Sequence, residues 1–266
     1  MTDIVTPLLP GERQKIILDR IERSGRVIAA DLAVEFRTSE DTIRRDLRDL
    51  AAAGLCRRVF GGALPLSPAS GTLAERAAEA PERKAALGIA TAALVRPGQV
   101  VFIDAGSTNL AIARALPSGL GITVVTNAPS IAAELTGRAG VELMLIGGRI
   151  DPRTGAAVGA RALRDANDLR VDLACLGACA VDAEDGVATF CPEEAELKRA
   201  VAERARAVVI AMTTEKLATT APFFVLPIGK LTYLVVEADA PDVEVERYWA
   251  AGADVRRAGP LEEVSP

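Results

Sequence analysis

Residues 38–54 read TSEDTIRRDLRDLAAAG, and this stretch decides the fold of the N-terminal quarter. On a helix, Leu47 and Leu50 fall within about 40° of Ile43, one apolar stripe, while Arg44, Arg45 and Arg48 fall about 100–200° away, on the opposite side. Thr38-Ser39 supplies an N-cap hydroxyl, Glu40 and Asp41 place acid in the first turn, and Gly54 is a usual stop. Upstream, the pattern predicts a helix over residues 12–23 that buries Ile16, Ile17 and Ile21 and stops at Ser24-Gly25. A second helix over residues 29–36 buries Leu32, Ala33 and Phe36. So few residues separate the second and third helices that the spacing is that of a helix-turn-helix. Downstream, residues 55–63, LCRRVFGGA, predict a strand and Gly-Gly turn, which reads as the wing of a β-hairpin and by itself equally suits a simple strand leading into a linker.

A short turn and two packed helices hold the arginine face outward, as a recognition helix is held for the major groove. Arginine is the side chain best suited to paired contacts with guanine and with phosphate. The candidate DNA-contacting residues are therefore Ser39, Asp41, Thr42, Arg44, Arg45 and Arg48, with Arg57 and Arg58 of the wing on the flanking backbone. Bulk charge does not carry this reading. The chain has net charge −5, with +1 on residues 1–63 and −6 on the rest.

Other features bound the function. A chain of 266 residues, 50% hydrophobic and 25% charged, builds a substantial core in one large or two smaller domains. At 3% aromatic, it lacks the stacked rings of single-strand platforms. With no histidine, it has no Ser-His-Asp or Cys-His nucleophile and no His-bearing zinc site. Cys56, Cys175, Cys179 and Cys191 form no Cys-x-x-Cys pair and read as reduced, small hydrophobes, so no metal or cofactor is expected. The apolar run 85–95 is too short to cross a bilayer, and residues 1–10 have no signal-peptide pattern. The expectation is a soluble, cytoplasmic protein with no membrane partner.

The pattern divides the chain into a winged helix-turn-helix over 1–64, a linker over 65–75 in the Pro/Ser/Gly-rich LPLSPASG region, an α/β domain over 76–258 and a tail over 259–266. In the α/β domain, strands are predicted at 99–103, 122–125, 141–146, 171–176, 207–211 and 231–236, with helices at 109–116, 129–136 and 193–205. Near-continuous Val/Ile/Leu runs alternating with helices predict a Rossmann-like, mostly parallel sheet, whose ligands sit beyond the strands' C-terminal ends. Three polar signals lie there: Asp104-Ala105-Gly106-Ser107-Thr108 leading into a helix, Thr126-Asn127, and Gly147-Gly148. Small residues, two hydroxyls and a helix N-terminus make the first a candidate phosphate loop, although each signal alone equally suits an ordinary turn. The chain has neither a G-x-G-x-x-G nor a Walker A motif.

The run from Ser39 to Leu47, followed by Gly54 to Ala63, resembles the signature of DeoR-family transcriptional regulators, and the resemblance extends over residues 12 to 237. It implies a C-terminal domain similar to ribose-5-phosphate isomerase that binds a phosphorylated sugar. The family's D-x-G-[ST]-T, T-N and G-G motifs match Asp104 to Thr108, Thr126-Asn127 and Gly147-Gly148. Arg76 and Lys84 match an R…K pattern, and Gly177, Asp182, Gly186, Glu194, Lys198 and Lys216 match later positions. The chain departs from the family at Phe60, where histidine is usual, at Thr213, which stands in place of aspartate, and near Glu237. The resemblance implies a regulator, operating as a homodimer or tetramer, whose grip on double-stranded operator DNA responds to a sugar phosphate. The competing expectation is an aldose–ketose isomerase using Asp104, Asp182, Glu194 and Lys198.

Overall fold

In the computed structural model, which describes residues 8–24, 27–53, 55–59, 61–65 and 71–259, Ser39 accepts the Thr42 N–H at 3.1 Å and starts a helix at the next residue. The chain divides into two units, 1–70 and 71–266. The readings placed on Gly25, Gly54, Phe60 and residues 260–266 lie outside the described residues.

In the first unit the order is α1 (Pro10–Ser24), β1 (Val27–Ile28), α2 (Ala29–Glu35), α3 (Glu40–Ala52), β2 (Cys56–Val59) and β3 (Gly62–Pro65). Ile43, Leu47 and Leu50 are buried with Ile17, Ile21 and Leu32. Two expectations for this core are corrected. Ile16 is 37% exposed, because the inward side of α1 runs through Arg13, Ile17 and Ile21 at four-residue spacing. Phe36 is only partly buried at the end of α2. The wing pairs β2 with β3 in antiparallel register, Arg58 opposite Ala63. The two-residue strand β1, absent from the sequence reading, pairs with β3 and completes a sheet ordered β1-β3-β2. A Cβ on Gly62 would lie 1.9 Å from the Val27 carbonyl oxygen, so only glycine lets these strands approach.

The second unit opens inside the stretch read as linker. Thr72 and Glu75 form a reciprocal capping box at the start of α4 (Leu73–Ala78). There follow α5 (Pro81–Ala92), β4 (Val100–Ile103), α6 (Ser107–Ala115), β5 (Ile122–Thr126), α7 (Pro129–Leu135), β6 (Val141–Leu145), the hairpin β7 (Arg149–Ile150) and β8 (Ala157–Val158), and α8 (Ala160–Asn167). Then come β9 (Val171–Leu176), β10 (Ala180–Asp182), β11 (Gly186–Thr189), α9 (Pro192–Arg204), β12 (Ala205–Ala211), β13 (Phe223–Leu226), β14 (Tyr233–Val236), α10 (Asp242–Ala250) and β15 (Asp254–Arg257). Seven strands form one parallel sheet in the order β15-β14-β12-β9-β4-β5-β6.

The continuous apolar runs are explained by burial on both faces. Phe102, Ala174 and Ile210 pack with α8, α9 and α10, while their neighbours Val101, Cys175 and Val209 pack with α5, α6 and α7. Strand order reverses between β4 and β9, where such a sheet opens a crevice beyond its carboxyl ends.

Candidate functional sites

On α3 the arginines stand outward as the helical wheel requires: Arg44, Arg45 and Arg48 are all exposed. Arg44 is held by Glu40 at 2.7 Å and by the largely exposed Asp41 at 3.8 Å. Arg45 and Arg48 have no ionic partner among the described residues. Ser39 and Thr42 share a 2.8 Å hydroxyl contact at the cap. Arg58 is exposed on the wing; the side chain of Arg57 is not described. One residue that sets the face was not singled out from sequence. Asp46, on the inner side of α3 and 3% exposed, takes a two-pronged contact from the buried Arg13 of α1 and a 3.4 Å bond from Gln14. An aspartate between inward Ile43 and Leu47 was the available signal.

The second site lies where β4, β5 and β9 end. Asp104, 1% exposed, accepts the Gly177 N–H at 2.9 Å and the Lys198 ammonium on the same oxygen. Asn109 donates to the Asp104 and Cys175 carbonyls at 2.9 and 3.2 Å, closing the β4–α6 turn. Asn127 accepts the Ala105 N–H at 3.0 Å, and Thr126 donates to the Ile103 carbonyl at 2.6 Å. Thr126 and Asn127 are thus buried struts between strand ends. Gly106 precedes α6 with φ +150°, a conformation that favours glycine. The first backbone N–H groups of α6, at Ser107, Thr108 and Asn109, have no partner within the helix and present a partial positive charge. Gly147 and Gly148 follow β6 beside β8, whose Ala157 N–H bonds the Asn127 carbonyl at 2.7 Å.

Cations gather on two sides. Burial would depress the Lys198 ammonium, but the Asp104 and Glu194 carboxylates reverse this and hold its pKa above the ordinary value. Glu194 in turn accepts the Thr189 hydroxyl at 3.0 Å. Elsewhere Lys84, 6% exposed, donates to the Arg76 and Glu79 carbonyls, and burial pushes its pKa down. Lys216 is depressed first by burial and then by the nearby positive charges of Lys84 and Arg76, while Cys179 acts in the opposite direction. No carboxylate forms an ion pair with Lys216 among the described residues. Lys84 and Lys216, both with lowered ammonium pKa values, thus stand near each other and near Arg76. Asp182 stands apart from these groups: its carboxylate accepts the Glu184 and Asp185 N–H groups of its own turn and lies 3.6 Å from Arg247. No described helix is long and apolar enough to cross a membrane.

An outward arginine helix with a wing, joined in one chain to a doubly wound sheet, defines a helix-turn-helix DNA-binding regulator with a C-terminal α/β domain. Residues 13–68 match the DeoR-like helix-turn-helix domain, and residues 79–238 match the DeoR C terminal sensor domain. The chain belongs to the DeoR family of transcriptional regulators. It is 35% identical to the HTH-type transcriptional regulator GlpR of Haloferax volcanii, over 79% of this chain and 83% of that one. It is 30% identical to the glycerol-3-phosphate regulon repressor of Escherichia coli, over 86% and 91%. A ribose 5-phosphate isomerase from Methanocaldococcus jannaschii superposes with TM-score 0.36 and 16% identity, over 52% of this chain and 54% of that one, a match too loose to bear on chemistry.

Proposed function

We propose that the protein represses genes of carbohydrate metabolism and releases, or rearranges on, its operator when a phosphorylated sugar binds. The observation that carries the ligand reading is the Lys84–Lys216 pair, whose pKa values are lowered first by burial and further by neighbouring positive charge, so that a bound anion would stabilise both ammonium groups. The phosphate is assigned to the α6 N-terminus with Ser107 and Thr108. Asp104, Gly106, Thr126, Asn127, Gly147 and Gly148 shape the crevice, and Glu194, Lys198 and Lys216 supply its charges. Asp182 then acts on the β10–β11 turn and not on the ligand. DNA contact is assigned to Arg44, Arg45, Arg48, Arg57 and Arg58, with Ser39, Asp41 and Thr42 setting the helix start.

A homodimer or tetramer would present two α3 helices to two half-sites. The open sheet edge at β6, where Met144 and Leu145 are about half exposed, supports self-association. The names of the two relatives, a regulator and a regulon repressor, support repression. Catalysis is disfavoured by the partners of Asp104. An isomerase base must be free to take a proton, whereas this carboxylate is engaged by Gly177 and Lys198.

The test is fluorescence anisotropy of a labelled duplex from the protein's own upstream region, at fixed salt, titrated with phosphorylated sugars. A change in DNA affinity with at least one of them, and none with the unphosphorylated sugar, is expected. Indifference to every phosphorylated sugar would discard the sensor reading.

A further inference from the structure

The crevice end of β14 holds a buried carboxylate that is only half used. Glu237 directly follows β14 and is 4% exposed. Its Oε2 accepts the Thr214 N–H at 2.8 Å, the Thr214 hydroxyl and the Arg83 guanidinium. Its Oε1 is closed to solvent and has no hydrogen-bond partner. The neighbouring strand carries a second such atom. β12 pairs with β14 in parallel register up to Ala211 beside Val235; Thr213 and Glu237 each follow that pair by two residues, and the Thr214 N–H meets Glu237 Oε2 at 2.8 Å. Thr213 is 1% exposed and its Oγ1 also lacks a partner. The Glu215 carboxylate lies near this hydroxyl without meeting it at hydrogen-bonding geometry.

Leaving a buried acceptor unsatisfied is costly, and native structures rarely do so without a reason. Here two unsatisfied atoms sit just past the paired ends of neighbouring strands, one a pure acceptor and the other able to donate. Both lie at carboxyl ends of parallel strands, where ligands of such sheets bind. Lys216 follows three residues after Thr213, and Lys84 adjoins the Arg83 that grips Glu237. We propose that Glu237 and Thr213 read a hydroxyl group on the sugar portion of the effector. The ligand hydroxyl donates to Glu237 Oε1 and accepts from Thr213 Oγ1, while the cation cluster and the α6 terminus hold the phosphate. Since neither atom is open to solvent, the Thr213–Lys216 turn must shift as the hydroxyl enters. This makes the pair the selectivity end of the crevice. The proposal rests on the sensor reading above.

The experiment is calorimetric titration of the full chain with inorganic phosphate, glycerol 3-phosphate, glucose 6-phosphate and fructose 6-phosphate, for the wild type, Thr213→Val and Glu237→Gln. At least one polyhydroxylated phosphate should bind the wild type more tightly than inorganic phosphate. Thr213→Val, which keeps the shape and removes the hydroxyl, should narrow that gap by about 10-fold or more and leave inorganic phosphate affinity unchanged. Its ligand-free melting temperature should hold or rise, because an unsatisfied buried hydroxyl is gone, an effect that a merely structural hydroxyl would reverse. Glu237→Gln gives the same comparison should the valine variant not fold. A gap that persists, or parallel weakening of phosphate and sugar phosphate, overturns the hydroxyl-reading role alone. Failure of every phosphate compound to bind the wild type overturns this proposal and the sensor reading together.

Discussion

Lys198→Met tests whether the crevice is built on a buried charge pair. The side chains of Lys198 and Asp104 are 5% and 1% exposed, and the lysine shares its target oxygen with the Gly177 N–H. Methionine fills nearly the same volume without charge. It leaves the Asp104 carboxylate buried with one neutral donor on that oxygen, so the loss is that of a broken buried pair, about 3–5 kcal/mol. In a unit of this size each kcal/mol moves the midpoint by about 2–4 °C, which gives a fall of about 6–20 °C. Replacing both members, Lys198→Met with Asp104→Leu, should recover much of it, because the desolvation penalty goes with the pair. The pH dependence has a definite sign. Lys198 has a raised folded-state pKa, so its contribution is complete below the unfolded lysine value of about 10.4 and is lost only as pH rises through the higher folded value. The difference between wild type and Lys198→Met should therefore be flat from about pH 6 to 9. Urea denaturation at several pH values measures it. A single-variant loss under about 1 kcal/mol, or a double variant worse than the sum of its parts, would refute the reasoning.

Gly62→Ala should destabilise the DNA-binding unit and weaken DNA binding, since its Cβ would meet the Val27 carbonyl at 1.9 Å; circular dichroism melts with anisotropy measure both. Arg44→Ala should cost about 1–3 kcal/mol of operator affinity with a smaller effect on unrelated duplex, and equal affinity for operator before and after the change would remove Arg44 from base contact. Ser107→Glu places a carboxylate at the α6 terminus and should abolish the response to sugar phosphate while DNA binding persists; an unchanged dose-response would exclude the loop. Lys216 has a depressed pKa, so phosphate affinity should decline as pH rises through a value below that of ordinary lysine, and Lys216→Met should flatten that decline in calorimetric titrations.

The second unit shows how far pattern alone reaches. The runs that became β4, β5, β9, β12 and β14 are legible because strands covered on both faces must be apolar throughout, whereas β6 is an apolar run at the sheet edge whose Met144 and Leu145 are about half exposed. The strand β15, sequence DVRR, is not, because an edge strand tolerates charge. Likewise β1 exists only because β3 offers a partner at Gly62. Thr126 and Asn127 carry a motif that sequence reads as ligand-facing, yet their side chains tie strand ends, a distinction that depends on which carbonyl or N–H lies across the gap. Asn109 was passed over because nothing local marks a side chain that reaches from residue 109 to the carbonyl of residue 175.

By itself the sequence determined the helix-turn-helix, the outward arginine face of residues 44–48 and the alternating α/β plan, because periodicity and capping act between residues a few positions apart. The tertiary fold alone turns Asp46 inward to Arg13, closes Lys198 on Asp104 across 94 positions, and leaves buried atoms of Thr213 and Glu237, just past the ends of paired strands, with unmet hydrogen bonds. Each of these depends on charge and hydrogen-bonding groups brought together by strand order and burial, and no local pattern encodes which distant partner arrives.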